Sequence, residues 1–383
     1  MSVAILAERA PSSEDRTAAR ALWARIRVWP PSNQYRELRQ APADHRWALC
    51  EALCLESQRL CAEDPERAAA VAELALKAVD LVAGEESWRA KLRGFAWAHV
   101  GNALRAQGDL RAAERALLSA DKLWKAGEEA RNGLLEEGLL LAFKAMLRWS
   151  QRRFEEAADL LDEAATAASS VRFRVQVLVS KAKLFKEMGD LEQAVAILQE
   201  ASGTTIPDDD GRTVLCVQHN LADGLSKLGR FSEAEALLPA VIDLSRKCGG
   251  EVDFLRLLWI EGRAAAGLGK MNEALVALRR VRGEFAARRM SYDLALVSLE
   301  LAVLYAEHGQ VQEVKTLARH LVPILQARNV APEALAALTL FRQSAEREGV
   351  TAEFAKDVLT YLRKARYDSS LHFERRVEVE IDA

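Results

Sequence analysis

The sequence has little of what marks several classes of protein. Proline and glycine are few, at 9 and 20 of 383 residues, and aromatic residues make up 6%. No apolar run reaches the ~18 residues needed to span a bilayer. The apolar stretch before Glu8 is shorter than the roughly 7–15 residues of a secretory signal. We therefore expect a soluble, cytoplasmic protein with no membrane partner.

The net charge and the number of cysteines also indicate which partners and compartment to expect. The formal net charge is −3 and the isoelectric point is about 6.2, so the chain lacks the basic excess typical of a dedicated nucleic-acid binder. The five cysteines are an odd number without a disulfide-like framework, which fits a reducing compartment. We expect no nucleic-acid partner.

Residues that favour helices are abundant. Half of the residues are hydrophobic and 28% are charged, and alanine, leucine, glutamate and arginine, all strong helix formers, dominate. Runs that alternate apolar and polar residues are scarce. The composition predicts an all-α protein with a substantial core.

A repeat of about 40 residues runs through the chain. Small residues occur seven positions before most of its turns and five positions after them, so the two helices joined by each turn can approach closely. Glycine at the turn supplies the left-handed conformation that ends the first helix. The turn residues are separated by 44, 37, 40, 40, 40 and 40 positions and are Gly108, Arg152, Gly189, Gly229, Gly269, Gly309 and Gly349.

This pattern resembles the tetratricopeptide repeat. Leu104, Phe185, Leu225 and Tyr305 stand at the position where that family places an aromatic residue or leucine. The period is longer than in most members of the family, and the proline that usually ends the second helix is missing. The pattern is similar to long-period repeats in scaffold proteins that bind peptides, in sensor domains of bacterial transcription regulators and in bacterial peptide-pheromone receptors.

The resemblance implies an α-solenoid, a right-handed superhelix of seven to eight antiparallel helix hairpins. We expect an N-terminal helical cap over residues 1–62 and the repeats over 63–366. The last hairpin, about 335–366, lacks the small residues of the others and is typical of a capping repeat. An acidic tail covers 367–383.

Catalytic motifs are missing. The sequence contains no phosphate-binding glycine loop, no His-Glu-x-x-His and no Gly-x-Ser-x-Gly. We expect no enzyme, no catalytic residue, no cofactor and no metal. Cys50, Cys54 and Cys61 share a helical face, where a soft metal is the alternative to simple burial.

Three other stretches also leave alternatives open. Residues 206–212 resemble a calcium loop only superficially, and we favour a loop with Asp210 near the start of the next helix. The arginine-rich residues 279–289 form either a phosphate-binding face or, as we favour, a solvated helix face. Seven of the eight tryptophans precede residue 150; we expect them in the core, with Trp23 and Trp29 as the exceptions.

Counting along each first helix predicts the inner wall of the solenoid. We number each first helix so that the small residue seven positions before the turn is position eight. Positions two, five, nine and twelve should then face inward. These positions are rich in cations, and Asp223 is the single acid among them. Such a wall suits another protein or an acidic, extended peptide with an apolar anchor. The predicted groove residues are Asn102, Arg105, Trp149, Lys183, Lys186, His219, Arg256, Trp259 and Arg263.

These residues favour a peptide-binding scaffold or adaptor. The alternative is a ligand-responsive regulatory module that controls a partner protein. A further hypothesis concerns residues 369–383, whose acidic side chains alternate with apolar ones over Val377 to Asp382. This tail would lie in the basic groove and compete with the partner, so that its deletion would strengthen the binding of an acidic peptide.

Overall fold

A computed structural model describes residues 11–42, 45–127, 135–204, 210–326, 332–347, 350–365 and 371–373. Across these ranges the chain forms eighteen α-helices and no strand, which confirms the all-α prediction. The helices are α1 Ser13–Ile26, α2 Pro31–Gln40, α3 Arg46–Leu60, α4 Pro65–Val79, α5 Glu86–Gln107, α6 Leu110–Ala126, α7 Leu139–Ser150, α8 Phe154–Thr166, α9 Val171–Met188, α10 Leu191–Gly203, α11 Gly211–Lys227, α12 Phe231–Cys248, α13 Glu251–Gly267, α14 Met271–Ala287, α15 Ser291–Glu307, α16 Val311–Gln326, α17 Pro332–Glu346 and α18 Ala352–Ala365.

The predicted turn residues join the two helices of each hairpin. Gly108, between α5 and α6, has a φ of 88°, and Arg152, between α7 and α8, has a φ of 64° despite its side chain. A positive φ is the left-handed conformation that the repeat pattern requires. It recurs at Gly189, Gly229, Gly269 and Gly309; Gly349 lies outside the described residues.

The small residues of the repeat lie where the paired helices touch. A Cβ atom added at Gly101 would come within 2.7 Å of Leu117 Cγ, and one added at Gly262 within 2.9 Å of Leu278 Cγ. Both pairs join a first helix to the second helix of the same hairpin. The predicted packing of hairpins is therefore confirmed at two separate repeats.

Acidic residues start several helices, as the repeat pattern predicts. The Asp109 side chain accepts a hydrogen bond from the Ala112 amide at 2.9 Å, and Asp190 accepts one from Gln193 at 2.9 Å. Asp210 accepts from the Thr213 amide at 3.3 Å, which confirms its predicted place at the start of a helix. Each contact satisfies one of the free amides of a first helical turn.

The chain divides into two compact units, with the division inside α9. The first unit comprises residues 1–184 and 204–206, and the second comprises 185–203 and 207–383. In the first unit α1 packs on α3, α3 on α4, and α5 on α6 and α7. The predicted boundary after residue 62 falls in the turn between α3 and α4, two helices that pack together as a hairpin.

The tryptophans mostly fill the core of the first unit. Trp47 and Trp88 are buried with ring centroids 4.6 Å apart, which confirms the core prediction for this pair. Trp23 is also buried, so its expected exposure is wrong: α1 packs on α3 and covers it. Trp29 is exposed, as expected, and Arg25 lies over its ring.

In the second unit helices of different hairpins are neighbours. Helix α11 contacts α13, and α15 contacts α18 of the last hairpin. Helix α18 also holds residues 371–373, because Tyr361 donates a hydrogen bond to the Leu371 carbonyl oxygen at 3.0 Å. The acidic part of the predicted tail, residues 374–383, lies outside the described residues.

Candidate functional site

Two predicted groove residues of the first unit, Asn102 and Arg105, form hydrogen bonds within the protein. Asn102 is only 5% exposed, and its Oδ1 accepts hydrogen bonds from Arg105 Nε at 3.1 Å and Nη2 at 2.9 Å. Its Nδ2 donates to Cys61 Sγ at 3.5 Å, and Arg105 Nη1 donates to Ser150 Oγ at 3.4 Å. Asn102, predicted as a groove residue, therefore orients Arg105 within the protein.

The two other candidates in this unit differ in exposure. Trp149 is half-buried and packs against the apolar cluster that contains Ala145 and Leu161. Lys183 is exposed near the end of α9. Neither of them joins the Asn102–Arg105 contacts described above.

In the second unit three cations converge on Asp223, near the end of α11. Lys186 Nζ lies 2.6 Å from Asp223 Oδ2, and Lys227 Nζ lies 2.7 Å from the same oxygen. Arg263, one hairpin later on α13, places its Nη1 3.2 Å from Oδ1. The first helices α11 and α13 are thus linked through one carboxylate.

Arg263 also forms an ion pair with Glu300 on α15. Its Nη2 lies 3.1 Å from Glu300 Oε1, and Trp259 Nε1 donates to Glu300 Oε2 at 2.6 Å. Arg363 of α18 also donates to Glu300. We call Lys186, Asp223, Lys227, Arg263, Glu300 and Arg363 the Asp223–Glu300 cluster.

The electrostatics of the cluster keep both carboxylates ionised. Burial alone would raise the pKa of Asp223, but the charges of Lys186, Lys227 and Arg263 hold it well below its ordinary value. Burial likewise opposes ionisation of Glu300, yet Arg263, Arg363 and the Trp259 indole keep its pKa lowered. Burial lowers the pKa of Lys227 to about 7, although Asp223 opposes this shift.

The cluster carries more positive than negative charge. Among the described residues it contains the four cations Lys186, Lys227, Arg263 and Arg363 and the two carboxylates Asp223 and Glu300. The Arg263 and Glu300 side chains are 13% and 8% exposed, whereas those of Lys186, Lys227 and Arg363 are 26%, 23% and 34% exposed. The surplus positive charge is therefore at the solvent-facing parts of the cluster.

Two expectations for this wall are wrong. Asp223 is not its only acid, because Glu300 lies on the same surface from a position that the inward-facing count omits. Trp259 is not an exposed anchor for a ligand: it is 8% exposed, and its ring meets that of Phe285 edge-on at 5.5 Å. Arg263 covers its face at 5.4 Å.

Arg256 and His219 flank the cluster and remain accessible to different degrees. Arg256 is exposed on α13, and the described residues give it no hydrogen-bond or ion-pair partner. His219 is half-buried, its Nε2 has no partner in the described part of the chain, and burial lowers its pKa. Of the sequence candidates, five thus lie together on the second unit: Lys186, His219, Arg256, Trp259 and Arg263.

The other sequence candidates do not form a second site. In the described ranges no group of three or more His, Cys, Asp or Glu side chains is arranged to hold a metal ion. Within the arginine-rich stretch, Arg279 donates to the Tyr305 hydroxyl at 2.7 Å and Arg282 to Ser298 Oγ at 3.1 Å. These two arginines connect α14 to α15.

Comparison with known proteins identifies the repeat. The model of the tetratricopeptide repeat family matches residues 175–203, which lie in the α9–α10 hairpin. The chain is built from tetratricopeptide-like repeats. No curated protein sequence matches the chain.

Solved structures share the tetratricopeptide-like fold at low sequence identity. The apo form of RapI has a TM-score of 0.62 and 13% identity, over 83% of this chain and 87% of RapI. A Rap protein complexed with competence and sporulation factor has a TM-score of 0.57 and 11% identity, with 83% and 87% covered. The apo quorum sensor NprR from B. thuringiensis has a TM-score of 0.50 and 13% identity, with 91% and 98% covered. At these identities the likeness concerns the fold.

None of the helices in the described ranges has both the length and the apolar character needed to cross a bilayer.

Proposed function

We propose that this protein is a peptide-binding regulatory module and that the first helices of its second unit bind an acidic, extended segment of a partner protein. The observation that carries the proposal is the surplus of positive charge on the Asp223–Glu300 cluster, with Arg256 exposed beside it. Carboxylates of a ligand would bind the guanidinium of Arg256 and the solvent-facing cations of the cluster.

The neighbouring charges support a ligand that is acidic and not merely polar. Lys227 uses one donor on Asp223, and an ammonium group has three. Arg256 lies one helical turn before Trp259, so the cationic surface continues along α13 beyond the cluster. An extended segment with acids at alternate positions would contact several of these cations at once.

The fold comparisons support a regulatory role. NprR is described as a quorum sensor, and one Rap protein was solved with competence and sporulation factor bound. By analogy of fold, this chain would act by binding in the cytoplasm, without catalysis of its own.

A responsive module is favoured over a static scaffold by one observation. Arg263 contacts carboxylates on two different helices, Asp223 on α11 and Glu300 on α15. A ligand carboxylate that competes for Arg263 would weaken one of these links and change the packing of the helices. Small-angle scattering should then show a change in the radius of gyration when peptide binds, and a constant radius would favour the scaffold.

Fluorescence anisotropy tests the binding itself. The probe is a labelled ten-residue peptide in which glutamate alternates with valine, and the matched control has lysine in place of glutamate. We expect the acidic peptide to bind more tightly, with an affinity that falls as salt rises. Equal affinities for the two peptides, or no binding of the acidic one, would contradict the proposal.

A further inference from the structure

The described chain ends against the helix that carries one end of the cationic cluster. The ring of Phe373 lies 5.1 Å from that of Tyr361 and 6.3 Å from that of Phe354, both on α18. Two residues after Tyr361, Arg363 contacts Glu300 on α15. Phe373, the residue that precedes the segment 374–383, is therefore packed on α18.

The length of the remaining segment suffices to reach the Glu300 end of the cluster. Ten residues span at most about 33 Å when extended, and packed helices are about 8–10 Å apart. The helices that carry the cluster cations, α18, α13, α11 and α9, are linked through Glu300 and Asp223. Phe373 contacts Tyr361, two residues before Arg363, and Arg363 and Arg263 meet at Glu300, so the segment needs to cover only part of that span.

The charge pattern of the segment complements that of the cluster. Residues 377–382 alternate valine or isoleucine with Glu378, Glu380 and Asp382. In an extended conformation these three acids share one face. The cluster has the opposite imbalance, with four cations against two carboxylates among the described residues. The segment also contains Arg375 and Arg376, which precede the acidic face.

We propose that residues 374–383 bind to the Asp223–Glu300 cluster and compete with the acidic segment of the partner. This inference rests on the proposed function, because the segment would occupy the same cations. It adds a regulatory element, because the partner must displace residues 374–383 before it can bind to the cluster. A tethered ligand is effective because its local concentration is on the order of millimolar.

The decisive comparison uses the full chain with a neutralised segment. Glu378→Gln, Glu380→Gln and Asp382→Asn together keep the length and remove the acidic face. If the isolated segment binds with a dissociation constant of ~0.1 mM, its loss should strengthen binding of the labelled acidic peptide by about tenfold. The matched control, Arg375→Gln with Arg376→Gln, makes the segment more acidic and should weaken binding of the same peptide.

A second variant separates the failure of this inference from that of the proposed function. The chain truncated after Phe373 should bind the acidic peptide as tightly as the neutralised chain does, and a free peptide of residues 374–383 should compete. Equal affinities of the full, neutralised and truncated chains would overturn the inference and leave the proposed function standing. Failure of the acidic peptide to bind any of them would overturn both. If the affinity of the full chain for the acidic peptide falls as the protein concentration rises, the segment binds to a second copy of the chain. That result would also overturn the inference.

Discussion

Replacing Arg263 with leucine removes a side chain that contacts both carboxylates of the Asp223–Glu300 cluster. Removing one partner of a buried ion pair costs about 3–5 kcal/mol, because the other charge stays buried without compensation. Here each carboxylate keeps other partners: Asp223 retains two lysines, and Glu300 retains the Trp259 indole and Arg363. We therefore expect the lower end, about 3 kcal/mol lost from the stability of α11, α13 and α15.

Hydrogen exchange measured by mass spectrometry detects this loss helix by helix. A loss of about 3 kcal/mol corresponds to roughly 150-fold faster exchange of the slowest amides in these helices. Arg256→Leu, at an exposed site on the same helix, should change exchange by no more than about twofold. If Arg263→Leu gives the same exchange rates as Arg256→Leu, the cluster does not hold these helices together.

Three other predictions concern helix packing and titration. Gly101→Ala should lower stability by about 1–3 kcal/mol because its Cβ would meet Leu117, whereas Gly283→Ala, with open space around its Cβ, should raise it by about 0.5–1 kcal/mol; chemical denaturation checks both, and equal effects would contradict the packing. Burial lowers the pKa of His99 to about 3, so the unfolded chain binds its proton more readily and stability should fall as pH drops below 6.5, by about 2 kcal/mol at pH 5. His99→Leu should remove that part of the acid sensitivity, unlike His320→Gln at an exposed site, in thermal melts at pH 7 and pH 5. Burial lowers the pKa of Lys227 to about 7. Because a bound carboxylate favours the protonated form of Lys227, the affinity for the acidic peptide should rise as pH falls from 8 to 6.5. Lys227→Arg should flatten this pH dependence, and an unchanged slope in the variant would contradict the role of Lys227.

The repeat pattern predicted the hairpins because its key residues act locally. The turn residues need only a left-handed conformation, and the small residues need only to face the next helix of the same hairpin. Gly101 and Leu117, for example, are sixteen positions apart, and Gly262 and Leu278 repeat that spacing. Such short-range requirements appear directly as spacings in one sequence.

The candidate site was only partly predictable because its contacts are long-range. Arg263 binds Asp223 and Glu300, which lie about one repeat before and one repeat after it along the chain. Glu300 was missed because it occupies the sixth position of its repeat, and the inward-facing count takes the second, fifth, ninth and twelfth. Trp259 was expected to be exposed because spacing does not show that Glu300 and Phe285 enclose it. The sequence does contain a signal for Glu300. The stretch Leu294–Leu304 is almost entirely apolar, as expected of a buried helix, and Glu300 is its only charged residue.

The central claim is that the cationic surface of the second unit binds an acidic segment. The most direct measurement is the dissociation constant of the labelled acidic peptide for the wild type, for Arg256→Glu and for Arg280→Glu, an equal charge reversal at an exposed position of the second helix α14. We expect Arg256→Glu to weaken binding by about tenfold, near 1.4 kcal/mol, and Arg280→Glu to change it by less than about twofold. Equal weakening by the two reversals would show that the peptide responds only to net charge and would contradict the claim.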